Sequence, residues 1–389
     1  MKKKLIQHTT SHFENHFHQS PDFIFLSPGR INIIGEHVDY NDGYVMPAAI
    51  NKYICFAISK TDTTTCTLVA KDLNETYSFD VTDELKPIKQ MWVNYILGVI
   101  HHLKEHGTIG NGFNIVFSSS VPMGAGLSSS AALECGVGYA LNMLFGLGLT
   151  KTDIALIGQK SEHTFVGVNC GIMDQFASVF GKKNSVIKLD CNTLEYEYYK
   201  ANFKKYSLLL LDSQVKHTHL TSGYNDRRQE VEKGLTVLKN RFHEVKTFRD
   251  CTEKMVNELK YVLGDTLYKR CHFVVQEIQR VRDAAEALSQ SDFVQLGALM
   301  SQTHHGLSKD YEVSCEELDF LVNATQEVPT VLGARMMGGG FGGCTLNLVE
   351  KGTEDALIDR ISKEYQAAFG IQLKAYKVKI AKGTTLYIP

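Results

Sequence analysis

The stretch "VPMGAGLSSSAALECGVGYALNMLFG", residues 121–146, changes character twice along its length. Glycines give way to serine and alanine, and these give way to a mostly apolar run. This order predicts a loop followed by a helix that begins near Ser129. The alternating "FNIVFS", residues 113–118, predicts a strand before the loop. The stretch is therefore interpreted as the loop and helix of a strand-loop-helix unit.

The loop at residues 124–130 has the composition of an anion site. Glycines let backbone N–H groups approach a ligand, and the start of the following helix offers more unpaired N–H groups and a partial positive charge. The serine hydroxyls suit a metal ligand or an N-cap hydrogen bond. A plain glycine-rich loop with a serine N-cap explains the same residues equally well. No GK[ST] follows, so the loop is not a P-loop.

A second stretch, "SPGRINIIGEHVDYNDG" at residues 27–43, mixes charged and apolar residues. Strands are predicted on both sides of it, at residues 22–27 and 52–59, so the stretch itself is interpreted as a loop. Arg30, Glu36, His37 and Asp39 supply the convergent donors and acceptors that a polyhydroxylated ligand requires. The isoleucines should anchor the loop in the core and hold these groups at a cleft. The alternative is a solvated loop with a local salt bridge.

A third stretch, "GVNCGIMDQFASVFG" at residues 167–181, places Asp174 among apolar neighbours. Such an acid is either a buried catalytic carboxylate or a residue at the start of a helix, where aspartate is common. Glu162, in "KSEHTF", is by itself an ordinary helical glutamate. The late "GGGFGG", residues 338–343, permits close backbone approach to a ligand or a tight turn between strands.

The rest of the chain predicts an α+β protein. The apolar run "YSLLLLDS", residues 206–213, is typical of a strand buried on both faces. Spaced apolar residues predict helices at residues 92–107, 224–242, 272–288, 293–307, 316–328 and 355–369, and a strand is predicted at 373–380. The sequence changes character near residue 200, so we expect domains at residues 1–200 and 201–389.

Composition restricts the class of protein. A formal net charge of -2 and 22% charged residues argue against a general binder of nucleic acid or anionic membranes. No apolar run approaches the roughly 18 residues that a membrane span needs, so we expect a cytoplasmic protein. The nine cysteines form no CxxC or Cys/His cluster. They fit neither a zinc site nor a disulfide framework and are expected to be mostly reduced core residues.

Four motifs follow one another along the chain: "GRINIIGEHVDYNDG", "VPMGAGLSSSAALE", "GIMDQF" and "GARMMGGGFGGC". In this order they resemble the motifs of the GHMP small-molecule kinases, and the first closely resembles the galactokinase signature of that family. The resemblance extends from Ser27 to beyond Cys344. It implies an N-terminal β/α domain with a left-handed crossover and a C-terminal ferredoxin-like domain with extra helices. The active site is then expected between the two domains.

The resemblance also implies roles for individual residues. Asp174 is expected to be the catalytic base, with Arg30 beside it, and Ser130 and Glu162 are expected to hold Mg²⁺. Tyr224 lies in "SGYNDRR", which matches a pattern of the family. The residues expected to bind the sugar are Glu36, His37, Val38, Asp39, Gly171, Asp174 and Tyr224. Those expected to wrap the ATP phosphates are Gly124, Ala125, Gly126, Leu127, Ser128, Ser129 and Ser130.

These roles imply ATP-dependent phosphorylation of α-D-galactose at its anomeric hydroxyl, the entry step of galactose catabolism, with no obligate protein partner evident. Two alternatives stay open. An N-acetylgalactosamine kinase would need more room around the second sugar hydroxyl. A silent sensor would bind sugar and ATP without turnover, although the intact "LSSSAA" loop and Asp174 favour a kinase.

One residue departs from the family pattern. Met337 stands where the family usually has threonine, near the phosphate region. We expect the missing hydroxyl either to weaken this arrangement or to be replaced by a neighbouring serine.

Overall fold

The computed structural model describes residues 2–215 and 220–388. Its α-helices are α1 (Lys2–Phe17), α2 (Met91–Leu103), α3 (Ser129–Phe145), α4 (Lys151–Ser161), α5 (Met173–Phe180), α6 (Leu220–Arg241), α7 (Glu253–Glu258), α8 (Lys260–Ser289), α9 (Phe293–Lys309), α10 (Glu316–Gln326) and α11 (Glu354–Phe369). Its strands are β1 (Phe23–Asn32), β2 (Tyr44–Val45), β3 (Pro47–Lys60), β4 (Thr65–Ala70), β5 (Glu75–Asp80), β6 (Phe113–Ser119), β7 (Ser185–Asp190), β8 (Tyr196–Lys200), β9 (Tyr206–Asp212), β10 (Val331–Met337), β11 (Cys344–Glu350), β12 (Lys374–Val378) and β13 (Thr385–Leu386). A π-helical turn, Glu162–Val166, continues α4.

The first sheet has the strand order β13-β1-β3-β6-β4-β5. Strands β4 and β6 are parallel and are connected through β5 and α2, whereas the other neighbours are antiparallel. Helix α3 lies against β1 and β3. Gly136 permits this close approach, because a Cβ there would lie 2.2 Å from the Phe56 ring. This packing holds the middle of α3 against β1 and β3.

The second sheet has the order β10-β11-β9-β12, and all its neighbours are antiparallel. Helices α6 to α10 connect β9 to β10, and α11 connects β11 to β12. This is the ferredoxin-like order with extra helices. Central β9 is the apolar strand predicted from sequence, and its four leucines are at most 4% exposed. The largest apolar core continues from the first sheet to β9 and β11, so it runs through both halves. A third, small sheet pairs β2, β7 and β8.

Most of the predicted elements are confirmed, including the start of α3 at Ser129 and the helices of the second half. The interpretation of residues 27–43 as a loop was wrong in its first part, because β1 continues to Asn32. The strand passes "PG" through a bulge between Pro28 and Arg30. At Gly29 an added Cβ would lie 2.6 Å from the Leu127 oxygen, so the bulge brings β1 close to the 124–130 loop.

Some elements were not predicted, including α1, α7, β2, β4, β5, β7, β8 and β13. The division at residue 200 stays a prediction. The nine cysteines are free thiols, of which six are buried. Within residues 2–215 and 220–388, every helix is too short or too polar to cross a lipid bilayer.

Candidate active site

A cleft of ≈ 330 Å³ lies where the 124–130 loop, the 33–43 loop and the turn between β10 and β11 meet. Its walls combine charged, glycine-rich and apolar segments. The lining residues are Arg30, Glu36, His37, Asp39, Tyr95, Gly124, Gly126, Leu127, Ser128, Ser129, Ser130, Glu162, Val168, Cys170, Gly171, Met173, Asp174, Tyr224, Met337, Gly338, Gly339, Gly340 and Gly342.

An arginine-carboxylate pair lies in the cleft. Arg30 Nε donates to Asp174 Oδ1 at 2.7 Å, and Nη2 donates to Oδ2 at 2.9 Å, a two-pronged contact that fixes both side chains. The arginine side chain is 4% exposed and the aspartate side chain 30% exposed. Asp174 lies in the first turn of α5, which confirms the helix-start interpretation. It is only partly buried, and its catalytic role stays a prediction. The carboxylate is thus rigidly held and still open to the cleft.

The same pair is joined to the 124–130 loop. Arg30 Nη1 donates to the Gly126 oxygen at 2.5 Å, and the Ser128 hydroxyl donates to Asp174 Oδ2 at 2.5 Å. Gly124 and Gly126 have positive φ angles of 73° and 70°, and Ser128 one of 54°. These turns leave the backbone of the loop at the cleft wall, with α3 beginning directly behind it. The loop has the form of an anion cradle, and the carboxylate lies within one hydrogen bond of it.

Glu36 begins the polar part of the 33–43 loop. It is 2% exposed, forms an ion pair with Arg335 at 2.7 Å and accepts a hydrogen bond from the Gly338 N–H at 2.9 Å. Burial raises the pKa of Glu36, because the desolvation exceeds the opposing effect of the nearby arginines. The side chain therefore ties this loop to the β10–β11 turn.

His37 is also buried, with a φ angle of 60°. Its Nδ1 is 2.8 Å from the Tyr40 hydroxyl, which is 2.9 Å from the Tyr311 hydroxyl. Burial lowers the pKa of His37 to about 3, so the ring is neutral at pH 7. Its Nε2 forms no hydrogen bond of ordinary geometry with the described residues, although the Gly339 backbone favours the protonated ring. A buried nitrogen of this kind is costly unless a ligand completes it.

Asp39 lies against Gly171, where an added Cβ would be 2.1 Å from Asp39 Oδ2. Burial, and then the negative charges of Asp174 and Glu36, raise the pKa of Asp39 to about 7. The Tyr224 ring closes this side of the cleft, 5.3 Å from the ring of His37. Glu36, His37, Asp39 and Tyr224 together form one wall of the cleft, which we call the acceptor-rich wall.

Glu162 begins the π-helical turn after α4 and is 7% exposed. Burial raises its pKa, partly offset by hydrogen bonds from Ser130 and Cys170. π-Helical turns often occur at functional sites. Hydroxyl and carboxylate oxygens side by side are the donors that a hard divalent cation prefers.

Known proteins match the chain over both halves. The GHMP kinases N terminal domain model matches residues 94–182, and the GHMP kinases C terminal model matches residues 284–367. The galactokinase galactose-binding signature matches residues 11–60. Galactokinase of Thermotoga neapolitana is 43% identical over 357 residues, which cover 92% of this chain and 98% of the relative. The chain belongs to the galactokinases of the GHMP kinase family.

Other galactokinases agree with this assignment. The Actinobacillus pleuropneumoniae protein is 40% identical over 371 residues, 94% of this chain and 95% of the relative. The crystal structure of Lactococcus lactis galactokinase complexed with galactose has a TM-score of 0.93 and 34% identity, covering 97% of this chain and 99% of that chain. A mevalonate kinase structure, with a TM-score of 0.64 and 20% identity, shares the fold alone over 92% of this chain and 99% of that chain. The predicted GHMP kinase fold is therefore confirmed.

The structure brings most residues predicted from the galactokinase resemblance into one cleft. All the predicted catalytic and metal residues line it. The exceptions are Val38 among the predicted sugar residues and Ala125 among the predicted ATP residues, which are 0% and 1% exposed and belong to apolar cores. Only the main-chain atoms of Val38 and Ala125 could contact a ligand in the cleft. The role of each residue stays a prediction.

Three features of this galactokinase site were missed in the sequence. Arg335 is fully buried and pairs with Glu36, and the only signal was an arginine inside the apolar "GARMM" segment. Tyr311 completes the hydroxyl chain of His37, and no local pattern indicates this. Cys170 lines the cleft beside Glu162, although the cysteines were expected to be mostly core residues.

Met337, the departure from the galactokinase pattern, is 1% exposed and lines the cleft. Its sulfur accepts a hydrogen bond from the Asn32 N–H at 3.4 Å. The Asn32 side-chain amide has no partner within the described part of the chain. The methionine therefore fills this space with a weak acceptor.

Proposed function

We propose that this galactokinase transfers the γ-phosphoryl group of ATP to the anomeric hydroxyl of galactose, with the residues of the cleft in the roles that follow. One observation supports this most: Asp174 is held by Arg30 and also accepts a hydrogen bond from Ser128 of the anion cradle. A candidate base and a phosphate-binding loop thus lie one hydrogen bond apart. Phosphoryl transfer requires such alignment of acceptor and donor.

The sugar would occupy the acceptor-rich wall. Glu36 and Asp39 offer carboxylate oxygens, and neutral His37 offers an Nε2 that forms no hydrogen bond of ordinary geometry with the described residues. Gly171 leaves room for the Asp39 carboxylate, and Tyr224 closes the wall. Several hydroxyls of galactose would be matched simultaneously, which is how polar sites distinguish sugars.

In the chemical step, Asp174 orients the anomeric hydroxyl and accepts its proton. The sugar oxygen forms a bond to the γ-phosphorus as the bond from that phosphorus to the ADP oxygen breaks. Asp174 Oδ2 already accepts from Arg30 and Ser128, whereas Oδ1 accepts one hydrogen bond from the described side chains, the Arg30 Nε–H. Oδ1 therefore has the capacity for the sugar hydroxyl. The Arg30 guanidinium lies beside this position and stabilises negative charge that moves between sugar and phosphate.

The 124–130 loop would hold the ATP phosphates through its backbone N–H groups and the start of α3. Ser130 and Glu162 fit a magnesium ion, because their oxygens are adjacent and Glu162 is nearly buried. Bound there with ATP, Mg²⁺ would neutralise charge on the phosphates. All these residues come from one chain, and we propose an enzyme that works in the cytoplasm and needs no obligate protein partner.

The test is ADP release with Mg-ATP and galactose, N-acetylgalactosamine, glucose or mevalonate, measured for the wild type and for Asp174→Asn. We expect turnover with galactose and a loss of about a hundredfold or more in the variant, the usual contribution of a general base. The matched control is Asp190→Asn, a carboxylate that pairs with Arg249 outside the cleft.

Preference for N-acetylgalactosamine would change the substrate and keep the mechanism. Galactose binding without ADP release from any sugar would indicate a silent sensor and contradict the proposal. Full activity of Asp174→Asn would remove Asp174 from the catalytic role.

A further inference from the structure

Glu277 is a fully buried carboxylate of α8 that has no part in the chemistry described above. Its Oε1 accepts a hydrogen bond from the Gly35 N–H at 2.8 Å. Its Oε2 accepts from Arg280 Nε at 2.7 Å and from the Thr303 hydroxyl of α9 at 2.8 Å. Both oxygens are therefore occupied, and one of them holds the backbone residue directly before Glu36.

The backbone at Gly35 has little room for another conformation. Gly35 has a φ angle of 96°, and an added Cβ would lie 2.7 Å from the Tyr44 oxygen and 2.9 Å from Val281 Cγ2. The turn directs the Gly35 N–H towards α8. Glu36 follows at once, and its side chain is fixed from the opposite direction by Arg335 and the Gly338 N–H.

Two successive residues are thus anchored to different elements of the C-terminal half. A buried carboxylate that accepts a backbone N–H contributes more than a neutral acceptor. Glu277 holds a main-chain atom of Gly35, so it sets where the 33–43 loop begins. It therefore also sets where Glu36, His37 and Asp39 point. Gly35 and Glu277 are far apart in the chain, so no local sequence pattern indicates this contact.

We propose that Glu277 is a positioning residue for sugar recognition: it fixes the start of the 33–43 loop and thereby determines galactose affinity, with little effect on ATP binding or on the transfer step. The inference depends on the sugar contacts proposed above for that loop.

Glu277→Gln is the sharpest test, because it keeps the size of the side chain. Glutamine has one acceptor oxygen and one donor nitrogen, so it cannot accept from both the Gly35 N–H and the Arg280 Nε–H. We expect the galactose Kd, measured by calorimetry without nucleotide, and the galactose KM to rise at least about tenfold, the effect of losing one charged hydrogen bond. We expect kcat and the ATP KM to change less than about twofold.

Glu354→Gln is the matched control. Glu354 is also a buried carboxylate, 8% exposed, that accepts a backbone N–H, from Gly352 at 2.7 Å, but it lies at the start of α11. Its substitution should leave galactose binding unchanged. Thr303→Val is a milder second variant, which removes one donor to Glu277 and should weaken galactose binding in the same selective way.

A folded Glu277→Gln protein with unchanged galactose affinity would overturn the inference. So would equal changes in the galactose and ATP constants, because these indicate general loosening. If Glu277→Gln does not fold, Thr303→Val decides by the same criteria. Failure of the proposed function is separate, since the wild type would then release no ADP with galactose, whereas this inference is tested by the galactose Kd of the variants relative to the wild type.

Discussion

Replacing Asp39 by asparagine should make the unliganded protein more stable and much poorer at binding galactose. Asp39 has no cationic partner among the hydrogen bonds and ion pairs of the described residues, and the negative charges of Asp174 and Glu36 lie near it. Its carboxylate is therefore costly in the folded protein. The same carboxylate is the acceptor proposed for the sugar hydroxyls, so stability and function should change in opposite directions.

The pKa gives the size of the effect. Burial and neighbouring charge raise the pKa of Asp39 from 3.8 to about 7. At about 1.4 kcal/mol for each pKa unit, the ionised form costs up to about 4 kcal/mol at pH 8. Asp39 keeps partial exposure to the cleft, which screens the charge, so we expect about 2 kcal/mol. The neutral amide of the Asp39→Asn variant avoids this cost.

The sign of the pH dependence follows from the same pKa. The folded protein holds the Asp39 proton more tightly than the unfolded chain, so this group makes the wild type less stable as the pH rises from about 4 to about 7. The advantage of Asp39→Asn should therefore fall from about 2 kcal/mol at pH 8 to about 1 kcal/mol at pH 5.5.

The assay is urea unfolding of the sugar-free wild type and Asp39→Asn at both pH values, with galactose kinetics beside it. Asp62→Asn, at an exposed carboxylate, is the control. We expect the galactose KM of Asp39→Asn to rise at least about a hundredfold, since hydrogen bonds to a charged acceptor contribute about 1.5–3 kcal/mol each. A gain in stability that does not vary with pH, or an unchanged galactose KM, would refute the reasoning.

Three further substitutions test other parts of the cleft. Arg30→Lys keeps the charge but loses the two-pronged contact with Asp174, so kcat should fall about a hundredfold with little change in galactose KM; an unchanged kcat would contradict this. Glu162→Gln should raise the Mg²⁺ concentration for half-maximal activity at least about tenfold and leave calorimetric galactose binding in the absence of nucleotide unchanged; equal Mg²⁺ requirements would exclude Glu162 as a ligand. Gly171→Ala places a methyl group 2.1 Å from Asp39 Oδ2. It should weaken galactose binding at least about tenfold, which is about 1.4 kcal/mol, and leave ATP binding unchanged as the internal control. Normal galactose affinity would show that Asp39 can move.

The parts of the fold set by neighbouring residues could be predicted. The change from glycines to serine and alanine marks the start of α3 at Ser129, because the turn before it is local. The expected serine N-cap hydrogen bond is absent at Ser128, whose hydroxyl donates to Asp174 instead. The leucines of β9 indicated a central strand for a similar reason. Arg30 was harder to place. Pro28 and Gly29 have the character of a turn, and only the distant Leu127 oxygen shows why the strand continues through a bulge.

Contacts between distant residues limit what a sequence reveals about the site. Arg335 pairs with Glu36 across most of the chain, and Glu277 reaches Gly35 from α8. In the sequence these are one arginine in an apolar segment and one glutamate on a charged helix. Their importance follows from burial, since a fully buried ion must be paired, and burial is a property of the fold.

The charges of the cleft explain why a site with so many acids can exist. In the described part of the chain, Glu36, Asp39, Glu162 and Asp174 face two buried arginines, Arg30 and Arg335. Burial raises the pKa of Glu36, Asp39 and Glu162, so the unliganded site is under electrostatic cost.

Each of these costs corresponds to a group that the proposed substrates would supply. In the proposed complex, sugar hydroxyls would form hydrogen bonds with Asp39 and with His37 Nε2, and a divalent cation would balance Glu162. Because ligands that bind only the folded state stabilise it, the same charges that weaken the empty protein would provide the proposed affinity for the sugar and for Mg-ATP. The large apolar core shared by both halves contributes the stability that offsets the electrostatic cost of the cleft.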